Sequence, residues 1–428
     1  IGDAMKNRPA ARQPFSWVPS LYVAEGIPYI IAMTVSVILY KRLGISNTDI
    51  ALYTSWFYLP WVIKPLWSPL VDLFRTKRWW IVGLQFVVGA ALALVALTVP
   101  GPDFFRYTLA VFWLMAFSSA THDIAADGFY LLALPPYQQA AFVGVRSTFY
   151  RLAMIAGQGG LVYLAGTLQD ATGDVAQAWA WVFVVLAVFF VLVGLYHLAV
   201  LPRPAGDVTL KRAPSLAADY LEVFAAFFRK KEILIILPYL LVYRLAEAQL
   251  LKLVTPFLLD ARAVGGLGLT TQQVGIVYGT IGIIALTLGG LVGGYLISRS
   301  GLKRMLWPMI LAMHVPIAAF IFLALVQPVS LPLIGAAIAV EQFGYGFGFT
   351  AYMVYMMLVA GNGEHKTAHY AICTGFMALG MMLPGMAAGW IQEKLGYGNF
   401  FIWVCIATIP SFIATAWLKV DPAFGKKA

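Results

Sequence analysis

Long apolar blocks alternate with short polar breaks along the chain. The blocks run to about twenty residues or more, enough helix to cross roughly 30 Å of hydrocarbon. This pattern predicts membrane-spanning helices near residues 17–40, 49–71, 79–99, 107–131, 140–165, 177–201, 233–259, 271–297, 305–326, 331–360, 368–392 and 399–418, numbered here spans 1 to 12. One longer polar stretch, from Pro202 to Glu232, separates span 6 from span 7 and carries Arg203, Lys211, Arg212 and the run Arg229-Lys230-Lys231. The expected fold is therefore an all-α integral membrane protein of twelve transmembrane helices. They form two pseudo-symmetric six-helix bundles, residues 1–201 and 233–428, joined by a linker over 202–232.

Composition agrees with that class. Apolar residues make up 61% of the 428 residues and charged residues 11%, where soluble domains carry about 25% charged. Cys373 and Cys405 both fall inside apolar blocks and read as small buried filler, with no disulfide framework and no metal spacing; no metal or cofactor is expected. The first residues are polar and basic, with Lys6, Arg8 and Arg12, and show no cleavable signal, so span 1 is expected to act as the targeting segment.

Loop charge predicts the orientation. The termini and the loops after spans 2, 4, 6, 8 and 10 hold nineteen Lys or Arg, whereas the opposite loops hold five: Lys41, Arg42, Arg106, Arg262 and Lys394. The positive-inside rule puts both termini and the linker in the cytoplasm. Basic loops beside anionic lipid account for the formal charge of +10, and no nucleic acid partner is implied.

Ionisable residues inside spans are costly and usually face a cavity or a partner. The acids are Glu25 in span 1, Asp123 and Asp127 in span 4, Glu247 in span 7 and Glu341 in span 10. The cations are Lys64 in span 2, Arg146 and Arg151 in span 5, and Arg244 and Lys252 in span 7. Tyr22, Glu25 and Tyr29 share one helical face. Asp123 and Asp127 stack four apart, where like charges repel, so one is expected to hold a proton near neutral pH. Arg146 or Arg151 is placed to pair with one of these aspartates. Arg244 and Glu247 are spaced to pair within span 7. Glu341, Tyr345, Gly348, Tyr352 and Tyr355 line one stripe of span 10. His122 points about 100° away from Asp123 and reads as a packing or hydrogen-bonding residue. His314 reads as peripheral. The pairs Gly289/Gly293 and Gly290/Gly294, the run Gly157-Gln158-Gly159-Gly160 and the Gly-rich centre of span 10 read as surfaces for close helix contact.

The two halves also echo each other. Span 2 ends Ser68-Pro69-Leu70-Val71-Asp72 before Arg75-Thr76-Lys77-Arg78, and span 8 ends Tyr295-Leu296-Ile297-Ser298-Arg299 before Gly301-Leu302-Lys303-Arg304. This resembles the loop signature of the major facilitator superfamily, in which an acid and following cations latch neighbouring helices in one gating state. The resemblance implies a gating role for Asp72, Arg75, Lys77 and Arg78, with Arg299, Lys303 and Arg304 in the second copy, where Ser298 replaces the acid. It also implies that spans 1, 4, 7 and 10, which carry all five acids, line a central cavity.

Three stretches resemble, more narrowly, the AmpG (muropeptide permease) and acetyl-coenzyme A transporter family. They are Glu25-Gly26-Ile27-Pro28 with Lys64-Pro65-Leu66-Trp67-Ser68-Pro69-Leu70-Val71-Asp72, then His122-Asp123-Ile124-Ala125-Ala126-Asp127-Gly128, then Leu134-Pro135-Pro136 with Tyr150-Arg151-Leu152. His122 stands where that family typically has Gln, and Glu25 adds an acid. The resemblance implies a proton-coupled importer of anhydro-muropeptides, which are sugar-linked peptides, in a bacterial inner membrane. Related carriers move siderophores or acyl-coenzyme A.

On this reading the transporter is a symporter and a monomer working by alternating access. Glu25, Asp123, Asp127, Glu247 and Glu341 serve proton coupling or cationic substrate groups. Lys64 is a structural or substrate contact. Arg146, Arg151, Arg244 and Lys252 hold anionic groups, and Tyr22, Tyr29, Tyr345 and Tyr352 offer flat faces to sugar rings. A membrane-embedded transferase would need a nucleophile or metal cluster on one membrane face, and the sequence offers none. A sensor on this fold would bring a cytoplasmic domain larger than the linker, and a channel would repeat its acids in a filter.

Overall fold

The computed structural model describes residues 14–209, 216–361 and 366–426. Lys6, Arg8, Arg12, Lys211 and Arg212 lie outside the described residues, as does the side chain of Asp72. The described residues are helical, without strands, and nine helical stretches are long and apolar enough to cross a membrane. They are Pro14–Arg42, Lys77–Thr98, Phe104–Ala133, Val175–Val200, Ile233–Leu259, Thr271–Ser300, Leu302–Val326, Leu331–Ala360 and Thr367–Ala416. In order these occupy the places of spans 1, 3, 4, 6, 7, 8, 9 and 10, and the last covers spans 11 and 12. That last stretch turns at Gly396, whose φ of 73° is open to glycine and strained for other residues. Spans 2 and 5 are helical over 47–73 and 136–172.

Local sequence signals begin several spans. Ser46, Thr76, Asp174, Thr270 and Ser330 each accept a hydrogen bond from a backbone N–H of the first turn that follows, supplying a partner the helix start lacks. The exposed faces are apolar, as along Val184, Val185, Val188, Leu192 and Leu195 of span 6, which suits hydrocarbon as the surrounding solvent.

Small residues let helices approach at backbone distance. A Cβ built on Gly346 of span 10 would fall 1.9 Å from the Leu286 carbonyl oxygen of span 8, and one on Gly279 of span 8 would fall 2.2 Å from the Gln158 carbonyl oxygen of span 5. Gly289 and Gly293 are tight against span 10, whereas Gly294 faces open space. Three π-helical segments, Ile31–Val35 in span 1, Ile155–Leu161 in span 5 and Gly275–Gly282 in span 8, interrupt the regular ladders, and the last two lie against each other. Span 2 packs on span 11 and span 5 on span 8, so residues far apart in sequence are joined along two seams.

The 202–232 stretch holds a helix, Leu216–Phe228, that its charged flanks conceal in the sequence. Phe227 is fully buried and stacks on Phe376 of span 11, and Phe224 and Phe228 line an apolar cavity of about 180 Å³ with Val62, Pro65 and Leu66 of span 2. The linker is thus packed against the transmembrane helices.

Candidate functional site

Span 7 is broken where its charges lie. The helix Ile233–Val242 ends, Arg244 takes a non-helical φ of −103°, and a second helix runs Leu245–Leu259. Ser411 of span 12 covers the freed carbonyls, its hydroxyl reaching the oxygens of Val242 at 2.8 Å and Tyr243 at 3.0 Å. His314, read as peripheral, is buried beside this break against Tyr243 and Phe412. The break frees Arg244 to project sideways. Its Nε and Nη2 donate to the two Glu247 oxygens at 3.1 and 2.9 Å, and Nη2 donates to the Tyr345 hydroxyl at 2.6 Å. The guanidinium also lies over the Phe349 ring, 4.7 Å from its centroid. Tyr345 of span 10 therefore joins Arg244 and Glu247 of span 7. Glu341, one turn earlier, is buried and accepts from Gln342 at 2.8 Å.

A second cluster assembles from spans 1, 2, 4 and 5. Arg146 Nη2 donates to Asp127 Oδ1 at 2.8 Å and lies 4.4 Å from the Tyr22 ring centroid, while the Tyr22 hydroxyl donates to the same Asp127 oxygen at 3.2 Å. Among the described residues Arg151 takes no part in these pairs, and its Nη1 donates to the Met154 sulfur at 3.7 Å. Asp123 is bound otherwise: its Oδ2 accepts from Trp61 Nε1 at 3.0 Å and lies 3.8 Å from Lys64 Nζ, while its Oδ1 is buried without a hydrogen-bond partner among the described residues. Glu25 is also buried, and its Oε2 has no hydrogen-bond partner among the described residues. Gly26 brings it there, since a Cβ at that position would fall 2.9 Å from the Ala153 Cβ of span 5. Tyr29 meets Trp61 edge-on at 5.3 Å. Tyr352, expected beside these rings, is fully buried elsewhere: it stacks on Tyr243 at 4.9 Å and donates to the Leu240 carbonyl.

Behind span 4, His122 belongs to a buried chain. Its Nε2 is 3.0 Å from Gln85 Nε2, Gln85 Oε1 is 2.9 Å from His197 Nδ1, and His197 Nε2 is 2.8 Å from the Ser20 hydroxyl. Rotating the Gln85 amide by half a turn lets every contact pair a donor with an acceptor, with Ser20 donating onward to the Trp17 carbonyl. The chain ties spans 1, 3, 4 and 6 together, so His122 braces the helix that carries Asp123.

The site is closed at one end and more open at the other. At the far end, where spans 1 and 2 join, Lys41 pairs with Asp260 at 2.7 Å, Asp260 accepts from Tyr397 at 2.6 Å, and Asn47 donates to Tyr397 and Gln392 at 2.9 and 2.6 Å. These residues rim a polar cavity of about 540 Å³. Arg42 adds a bond to Thr271 at 2.6 Å. Toward the end where span 1 begins, exposure of the charged side chains rises, from 2% at Glu247 and 14% at Asp123 to 28% at Arg146 and 46% at Asp127. At that end lie the expected gating residues. The backbone amides of Lys77 and Arg78 donate to Asp207 at 2.7 and 3.0 Å, and the Arg78 Nη2 reaches the Leu198 carbonyl. Arg75 lies over the Trp79 ring and Arg299 bonds the Tyr295 hydroxyl, while Lys303 and Arg304 are exposed.

Sequence reasoning passed over Trp61, Asp207, the Gln85–His197 pair and the far-end residues Asn47, Asp260, Gln392 and Tyr397. Asp260 and Asn47 are polar residues at span ends, where a loop reading absorbs them.

Paired charges inside a helical membrane protein, closed from one side, define a solute carrier. The sequence profile of the Major Facilitator Superfamily matches residues 21–372, and the chain belongs to that family. It is a multi-pass membrane transporter of small molecules and not an enzyme. The chain is 27% identical over 358 residues to the anhydromuropeptide permease of Escherichia coli K12, an alignment covering 82% of this chain and 69% of that one. It is 26% identical over 416 residues to a transporter of Rickettsia conorii named AmpG 4, covering 93% and 95%. Among solved structures, the nucleoside transporter NupG superposes with a TM-score of 0.73 at 15% identity, over 96% of this chain and 100% of that one. A D-xylose–proton symporter gives 0.68 at 13% identity, over 97% and 99%.

Proposed function

We propose that this protein carries anhydro-muropeptides across a bacterial inner membrane by proton symport, as a monomer with both termini cytoplasmic. The bundles 1–201 and 233–428 rock about the buried charges, and the 202–232 linker joins them on the cytoplasmic side. The substrate class rests on similarity to the Escherichia coli permease. Coupling rests on one observation above all: Asp127 is matched by Arg146, while Asp123 and Glu25 each keep a buried carboxyl oxygen without a partner. A carboxyl oxygen without a partner away from water is satisfied most cheaply by a proton. Asp123 and Glu25 are therefore the proton-carrying groups, and Asp127 with Arg146 and Tyr22 forms part of the substrate-facing wall. The far-end contacts of Lys41, Asp260, Asn47 and Tyr397 act as the gate that opens in the other half of the cycle.

Cells deleted for this gene, with no second permease, should release anhydro-sugar peptides into the medium, measured by mass spectrometry of the spent medium. An unchanged medium would remove the muropeptide assignment and leave the family assignment standing.

A further inference from the structure

The intramembrane cations differ in what neutralises them. Lys64, Arg146 and Arg244 each have a carboxylate within 4 Å, and Arg151 is only partly buried. Lys252 is 3% exposed and, among the described residues, has no carboxylate within ion-pair distance. Its Nζ donates to the Thr54 hydroxyl at 3.0 Å and sits 5.3 Å from the Tyr58 ring centroid. The Thr54 hydroxyl spends its own proton on the Ile50 carbonyl at 2.6 Å. An ammonium offers three donors, so this shell leaves capacity unused. Ser55, next to Thr54 in the chain, is fully buried, and its Oγ has no hydrogen-bond partner among the described residues. Gly385 of span 11 borders the same spot: a Cβ there would fall 2.8 Å from Ser55 Oγ and 3.5 Å from Lys252 Cγ. A charge without a counter-ion and a hydroxyl without a partner thus both lie where spans 2, 7 and 11 converge.

We propose that Lys252 and Ser55 form a carboxylate-binding subsite, filled by a free carboxylate of the peptide part of the substrate. An uncompensated buried charge is costly to keep, and an arriving anion with two oxygens satisfies both the ammonium and the hydroxyl. In this state Gly385 of span 11 packs directly on the spot, so the subsite opens to the substrate when spans 2 and 11 part. The subsite rests on the reading of the protein as a carrier of sugar-linked peptides, and it assigns recognition of the peptide's acid to span 7 in place of the Arg146 region.

The test compares binding of two probes to the purified full chain, by intrinsic tryptophan fluorescence. One probe is an anhydro-muramyl tripeptide and the other is the same molecule with its carboxylates amidated. The parent should prefer the acid by about tenfold or more, the scale of one charge-assisted hydrogen bond. Lys252→Met should erase that preference by weakening the acid alone, and Lys252→Arg should restore part of it. Ser55→Ala, which keeps the ammonium, should lower the preference by a smaller factor and covers the case in which Lys252→Met fails to fold. Equal weakening of both probes in Lys252→Met and no change in Ser55→Ala would overturn the subsite. A parent that binds neither probe would overturn the muropeptide reading and the subsite together.

Discussion

Asp123→Asn should abolish accumulation of substrate against its gradient while exchange of labelled for unlabelled substrate continues. Asp123 shares one oxygen with Trp61 and, more distantly, Lys64, and its other oxygen is buried and unpartnered. An amide holds the shape of the protonated acid, so the carrier can still bind, rock and exchange, but position 123 can no longer release its proton, and the shared coupling with Glu25 is broken. Asp127→Asn should behave differently. It removes the partner of Arg146 and the acceptor of Tyr22, so affinity and folding yield should fall while any remaining uptake stays coupled. Liposomes with an imposed pH gradient, assayed for accumulation and for counterflow, separate the two outcomes. Full accumulation by Asp123→Asn would move the proton to Glu25 or Glu341.

Glu247→Gln should be the most destabilising single change in the charged network. Arg244 is held by both oxygens of Glu247, and the pair's side chains are 9% and 2% exposed. Loss of the carboxylate leaves a guanidinium buried at a break in span 7, where only Tyr345 and the ring faces remain. Breaking a buried ion pair from one side costs about 3–5 kcal/mol. The double change Arg244→Gln with Glu247→Gln should recover a large part of that loss, because it removes the stranded charge as well. Unfolding of the detergent-solubilised variants measures this. A single variant as stable as the parent would show that the pair opens to water and is no structural hinge of span 7.

Much of the architecture was legible because a membrane imposes its own grammar: an uninterrupted apolar stretch must be helical, and its length is fixed by the bilayer. Span 7 and span 10 begin and end at the residues the apolar pattern marks. The Arg244–Glu247 pair was legible from spacing, since residues three apart on a helix are neighbours. Partners across helices were not. Arg146 and Arg151 differ by five residues, about 140° of helix, so only one can turn to span 4, and the choice depends on how span 5 is rotated. Tyr352 follows the stripe of Tyr345 in sequence, yet two turns on the facing residues belong to the first part of span 7, and Tyr243 stacks on it. Asp207 was hidden because nothing in the linker's composition tells that it will cap span 3, some 130 residues earlier in the chain. The helix Leu216–Phe228 was masked by charges on both flanks, although its apolar positions are the ones that meet spans 2 and 11.

The central claim is that this carrier moves protons with an anhydro-sugar peptide. The direct measurement is the internal pH of liposomes containing the purified protein, with equal pH on both sides at the start, when anhydro-muramyl tripeptide is added outside. The account predicts acidification of the lumen on addition of the substrate, absent with Asp123→Asn. Entry of labelled substrate into the parent liposomes with no change in internal pH would contradict it.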